Sequence, residues 1–197
     1  MGNHRFNPDI HHRRSPRLRG YDYARGGAYF VTVCSQNHEC LFGSVANGVM
    51  ELNDAGRMVK RWWVELNSKF PSVNTDAYII MPNHFHGIAI INDSRSNVGA
   101  ALRGRPRSTR PSGHPHRGAP TLGNIMDWFK TMTTNNYIRR IEQNHWPPFE
   151  KRLWQRNYYE RVIRDEAEMD RIREYIQNNP WNWELDEENP DRPLDVM

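Results

Sequence analysis

Two imidazoles stand one residue apart in the stretch DAYIIMPNHFHGIAIIN, which runs from Asp76 to Asn92. The apolar runs on either side, Ala77 to Met81 and Gly87 to Ile91, are short and rich in Ile, which fits buried strands better than a helix. Pro82 cannot donate to a central ladder, so Pro82-Asn83 marks a turn or bulge between them. In the second strand, residues i and i+2 share a face; His84 and His86 therefore stand side by side while Phe85 points the other way. Neutral imidazoles at adjacent same-face positions make two arms of a divalent-metal site.

A second reactive pair sits near the end of the chain. Asp165 caps a helix, with Glu168 at capping-box spacing, that runs to about Asn179 before Pro180. Met169, Ile172 and Ile176 form its narrow apolar stripe. Tyr175 projects about 60° to one side of Ile172, and Asn179 follows one turn later, so phenol and amide can meet on the margin of the docking face. Tyr158 and Tyr159 are rival phenols, but they fall on an expected strand without an amide at i+4.

The elements that position these groups follow from pattern. Ala28 to Ser35, aromatic and β-branched, predicts the first strand, and Asn47-Gly48 suggests a short hairpin within 38–50. Asn53 or Asp54 caps a helix to about Phe70 with Met58, Val59, Trp62, Trp63, Leu66 and Phe70 on one face; Pro71 ends it. After the two Ile-rich strands, residues 93–120 are Arg, Gly, Ser and Pro with almost no large apolar side chain, and read as a flexible insertion. Thr121 caps a helix over about Leu122 to Gln143, with Leu122, Ile125, Met126, Phe129, Met132, Ile138 and Ile141 as its buried stripe, and Pro147-Pro148 forbid continuation. Leu153 to Ile163 is the fourth strand expected. The order βαββαβ plus a final helix predicts an α+β, ferredoxin-like split βαβ fold. It would have a four-stranded antiparallel sheet, two helices on one face, and the first strand between the His strand and the fourth. The divisions expected are a basic arm (1–27), one domain (28–183) and an acidic tail (184–197), read as a solubilising end, with a cover over the site or a repeller of competing DNA as the alternative.

Net charge is +4, but it is unevenly spread. Residues 1–25 carry six Arg against Asp9 and Asp22, and residues 93–120 carry six Arg against Asp93. Arg can fork onto phosphate, so basic segments beside a compact domain suggest a nucleic-acid partner. No run approaches the ~20 apolar residues that span a bilayer, and no apolar segment opens the chain. Cys34 and Cys40 form no CxxC pair, so neither a disulfide framework nor a zinc finger is expected. A cytoplasmic, nucleoid-associated protein is the expectation, without membrane or nucleotide cofactor.

Three stretches, RRSPRLRGYDYARGGAYFVTVC, YIIMPNHFHGIAII and WQRNYYE…YIQNNP, resemble the single-tyrosine HUH transposases, above all the bacterial REP-associated tyrosine transposase group. The resemblance implies that His84 and His86 bind Mg2+ or Mn2+ and that Tyr175 on the last helix is the nucleophile. Asn179 stands where insertion-sequence relatives carry a metal-binding Gln, one methylene longer. It further implies cleavage of single-stranded DNA through a 5′-phosphotyrosine, beside hairpins formed by palindromic repeats, by a monomer or homodimer. Arg13, Arg14, Arg17 and Arg19 on the arm, with Arg139 and Arg140 on the second long helix, are the DNA-binding candidates. The alternative is a domesticated, non-catalytic hairpin binder of the same fold. A barrel metal hydrolase, which also uses His-x-His, ordinarily needs ~250 residues and an alternating βα pattern that this chain lacks.

Overall fold

The computed structural model of the 197-residue chain describes residues 26–92 and 120–192. Most of the basic arm, with Arg13, Arg14, Arg17 and Arg19, all but the last residue of the 93–120 insertion, and the last five residues lie outside the described residues.

Strand β1 (Gly27–Cys34) runs between two antiparallel partners, and nearly all of its residues are buried. A hairpin follows, β2 (Gly43–Ala46) and β3 (Val49–Leu52), turned by Asn47 and Gly48 at φ 52° and 72°. Positive φ at both central residues is the turn geometry that Asn-Gly supplies. Helix α1 (Asp54–Val64) is capped by Asn53, whose side chain accepts from the Gly56 amide at 2.9 Å, and it buries Met58, Val59 and Trp63. The single helix expected to reach Phe70 is instead broken at Glu65 and resumes as α2 (Leu66–Lys69). Asn67 is the local cause: its amide takes the Val64 carbonyl at 3.0 Å and clasps Thr75, competing with the helical ladder.

Strand β4 (Val73–Ile80) begins four residues before the apolar run that announced it, because its first half, Val-Asn-Thr-Asp, is polar. A register shift between Thr75 and Tyr78 marks a bulge there. Strand β5 (His84–Ile91) pairs with both β4 and β1. Helix α3 (Leu122–Asn144) opens on a capping box of Thr121 and Asn124. Its buried stripe bends away from the expected line: after Phe129 come Thr133 and Tyr137, whereas Ile138 is exposed and Met132 and Ile141 are only half-buried. Polar bonds explain the choice, since Thr133 Oγ1 accepts from the Trp154 indole at 2.8 Å and the Tyr137 hydroxyl donates to the Pro147 carbonyl.

Strand β6 (Tyr159–Ile163) is half the length expected. Leu153 and Trp154 are buried, but Trp154 makes only an isolated bridge to Ser35; its indole is committed to α3. Helix α4 (Glu166–Asn178) is capped by Asp165, which accepts from the Glu168 amide at 2.8 Å, while the Glu168 carboxylate reaches one residue further back, to the Arg164 amide.

The sheet order is β4-β5-β1-β6, antiparallel throughout, with β1 between the His strand and β6 as expected. Tyr29, Val31, Val33, Phe85, Ala89 and Ile91 meet α1 and α3 on one face. Ala28, Ile88 and Ile163 meet Met169, Ile172 and Ile176 of α4 on the other. The ordered fold does not stop at 183. A 3-10 segment, Asn179–Leu185, and the first residues of the acidic stretch pack onto the domain, so the tail is not merely a solubilising end. Among the described residues no helix is long and apolar enough to cross a membrane.

One glycine shows how tightly the helical face of β5 is filled. A Cβ on Gly87 would lie 2.5 Å from the Phe85 ring and 2.7 Å from that of Trp63, and those two rings pack 4.5 Å apart. Gly87→Ala should destabilise the fold by about 1–3 kcal/mol, the usual cost of overpacking, measurable by urea or thermal melts.

Candidate active site

The alternation of β5 sends Phe85 into the helical core and turns His84 and His86 to the α4 face, as the i, i+2 spacing requires. The two rings are 4.6 Å apart and both are buried. Neighbours hold each in place. His86 Nδ1 lies 2.8 Å from Thr32 Oγ1, its cross-strand partner on β1, and the ring stacks on Phe30 at 5.4 Å. His84 Nδ1 lies 2.9 Å from Asn83 Oδ1.

Asn83 is fully buried, and its amide nitrogen donates to the carbonyls of His38 at 3.1 Å and Glu188 at 2.5 Å. Two carbonyl acceptors fix which end of that amide is nitrogen. Its oxygen must therefore accept from His84, which makes Nδ1 the protonated ring nitrogen and leaves the lone pair on Nε2. That lone pair points into the site without a hydrogen-bond partner among the described residues. In 15N-labelled, metal-free protein, long-range proton–nitrogen correlations should show His84 as the Nδ1–H tautomer; an Nε2–H signal would contradict the assignment.

Tyr175 comes to the same place from α4. Its hydroxyl is 3.4 Å from His86 Nε2, and its ring meets those of His86 and Phe30 edge-on at 5.3 and 6.0 Å. Half-exposed, it combines contact with the site and access from outside. The helix carrying it is clamped to the sheet by Arg173, which forks onto Asp76 at 2.8 and 2.9 Å and also reaches Glu166 and Asp170. The β4 bulge aims Asp76 at this fork, and the guanidinium holds that carboxyl below its ordinary range. Asn179 is buried at the C-terminal end of α4, and its side-chain oxygen likewise has no hydrogen-bond partner among the described residues.

Electrostatics mark the site as a place for neutral imidazoles. Burial pushes both histidines below their usual range; the carboxylate of Asp186, 3.9 Å from His84 Nε2, opposes this for His84, while the charge of His84 adds to it for His86. The Tyr175 phenol is raised, by burial first and by Asp186 second, with Asn179 pulling it back down. Two buried lone-pair donors without partners, His84 Nε2 and Asn179 Oδ1, beside a second imidazole are what a divalent cation with nitrogen and oxygen ligands takes. Among the described residues no group of three His, Cys, Asp or Glu stands together that could hold a metal ion.

The sequence-derived residues thus divide. His84, His86, Tyr175 and Asn179 come together within one chain. Tyr159, paired with Thr32 on the same sheet face, is exposed and lies two strand spacings from β5, ~10 Å. Tyr158 packs at the edge of the helical core. Arg139 and Arg140 are exposed on α3, across the sheet from the His pair. Sequence reasoning missed Thr32, Phe30 and Asn83, and although it weighed the acidic tail as a cover over the site, it singled out neither Asp186 nor Glu188. Asn83 could have been found as the immediate neighbour of His84; Asp186 and Glu188 carried only a composition signal.

A protein of Haemophilus influenzae, itself uncharacterized, is 42% identical over 187 residues, covering 93% of this chain and 96% of its own. The chain belongs to the same family. No protein-family model matches it. Among solved structures, a REP-associated tyrosine transposase bound to a REP hairpin aligns over 84% of this chain and 73% of that one, with a TM-score of 0.51 and 17% identity. The chain has the fold of a REP-associated tyrosine transposase. Strand β5 and helix α4 are the elements of this fold whose side chains meet at the site.

Proposed function

We propose that this protein is a metal-dependent transposase of the single-tyrosine kind, which cuts and rejoins single-stranded DNA beside hairpins. The observation that carries this reading is the Tyr175 hydroxyl 3.4 Å from His86, on a helix docked over two buried imidazoles. His84 and His86, with Asn179 as the third arm, would hold Mg2+ or Mn2+. Such an ion, when bound, polarises a non-bridging phosphate oxygen and offsets charge in an in-line displacement.

The chain's own residues account for the rest. Tyr175 Oη attacks phosphorus; the Oη–P bond forms, the P–O3′ bond breaks, and the phenol proton passes to water. The departing 3′ oxygen takes up a proton and leaves as a 3′-OH, and the DNA stays attached through a 5′-phosphotyrosine. One phosphodiester replaces another, so a 3′-OH can reverse the step without water or ATP. Asn179 offsets part of the cost of ionising the phenol, and Phe30 keeps the ring against His86. That a protein of this fold is bound to a REP hairpin supports hairpin DNA as the partner. The arm arginines Arg13, Arg14, Arg17 and Arg19 remain candidates for its phosphates.

Incubation with labelled hairpin DNA carrying a single-stranded flank, with Mn2+, should yield a covalent adduct on a denaturing gel. Binding without any adduct would assign the fold to hairpin binding alone.

A further inference from the structure

A cavity of about 360 Å3 opens between α1 and the C-terminal half of α3, across the sheet from the His–Tyr site. Its walls carry three guanidinium groups, Arg57, Arg61 and Arg140, against one carboxylate, Asp54. Asp54 is committed to Arg57 at 2.7 Å. Arg140 binds only the neutral amide oxygen of Asn144, at 3.0 Å, and Arg61 lies over the Trp62 ring at 5.3 Å; among the described residues neither has a carboxylate within ion-pair distance. Two positive charges at the cavity are therefore uncompensated.

The remaining wall is aromatic and amide. Helix α3 ends at His145 in the left-handed region, φ 55°, which folds Trp146 back toward the helix. There the indole is braced edge-on against Tyr137 at 5.1 Å and lines the cavity with Asn136. A braced indole offers a stacking surface, the amides of Asn136 and Asn144 offer donors and acceptors, and Arg forks onto phosphate oxygens. We infer that this cavity binds one nucleotide unit of a nucleic-acid strand, its phosphate on Arg61 and Arg140 and its base on Trp146. This inference rests on the nucleic-acid reading above for the source of the strand, but not on any cleavage chemistry.

The test uses the full-length chain carrying Tyr175→Phe, so that cleavage plays no part, and follows fluorescence anisotropy of a labelled single-stranded oligonucleotide from low to physiological salt. Adding Arg61→Ala with Arg140→Ala should weaken binding tenfold or more and lower the salt slope by about 0.7, the share of the one phosphate they hold. Trp146→Ala should weaken it about fivefold or more, with little change in slope. Far-ultraviolet circular dichroism and melting temperature check that each variant is folded. Competition by a mononucleotide would show that a free nucleotide suffices; displacement only by an unlabelled strand would show that the unit must belong to a chain. Either result supports the site. Folded variants with unchanged affinity and slope overturn it, and so does inorganic phosphate competing as well as a mononucleotide while Trp146→Ala is silent. Loss of the covalent adduct in the cleavage assay would leave these results untouched, so the two readings fail separately.

Discussion

Tyr175→Phe should abolish the covalent protein–DNA adduct, a loss on the order of 10^3-fold or more, as expected when a nucleophile is deleted. The substitution removes one oxygen and little else. The ring is about half exposed and keeps its edge-on contacts with Phe30 and His86, while the lost hydroxyl contact is long, at 3.4 Å. Thermal stability should therefore change by less than about 0.5 kcal/mol, as for surface substitutions in general. Hairpin affinity should persist, since binding charges and nucleophile are separate groups. Tyr159→Phe is the control: exposed and two strands from the His strand, it should leave adduct formation unchanged. An adduct that survives Tyr175→Phe and disappears with Tyr159→Phe would move the nucleophile to β6. The acidic segment gives the reaction a pH signature. Burial raises the phenol first and Asp186 second, so adduct formation should climb with pH through neutrality, and Asp186→Asn should shift that profile to lower pH.

Why the sequence showed which residues stand side by side is a matter of period. His84 and His86 fall two apart in a strand, and Tyr175 and Asn179 four apart in a helix, so each pair's common face follows from local geometry alone. What brings the pairs together is a strand order, which followed from the βαββαβ order, and a helix docking, of which the apolar stripe was legible but not the sheet face it covers. The misses arise where side chains bond the backbone or one another over long distances. Nothing local distinguishes Trp154 as a residue bonded to Thr133 on α3 rather than a rung of β6, and Thr133 takes a core position that Ile138 would have held on hydrophobicity alone. Asn83 read as turn chemistry, and its turn position is real. Its second role, fixing the His84 ring through carbonyls 45 residues before and 105 after it, had no signature in the sequence. The acidic segment read as solubilising ahead of covering the site, because composition carries no address. In the fold Asp186 approaches His84 and Glu188 pairs with His38 at 2.6 Å.

Acid should destabilise the metal-free protein in a window set by the His pair. An unfolded histidine takes up its proton near 6.5, whereas burial holds folded His84 at about 4 and His86 also well below its usual value. Below pH 6.5 the unfolded chain therefore binds protons that the folded one refuses. Stability is full above that pH and falls as pH drops, by ~1.4 kcal/mol per unit for each ring that stays neutral. With both rings neutral the slope approaches about 2–3 kcal/mol per unit. The His84 share levels off near pH 4, where the folded ring is itself protonated. Asp76 and Glu168, whose carboxyls are held below their ordinary values, lose their contribution only at more acid pH, so the two regions separate in a series of urea melts. The same protons compete with a cation. Mn2+ should raise the melting temperature at pH 7.5, because neutral imidazoles bind it and only the folded chain gathers them. The increment should shrink through the same window, since occupying Nε2 becomes harder as each ring charges. A Mn2+ increment that persists undiminished at pH 5, or that survives His84→Ala in a folded protein, would place the cation on carboxylates elsewhere and remove His84 from the metal site.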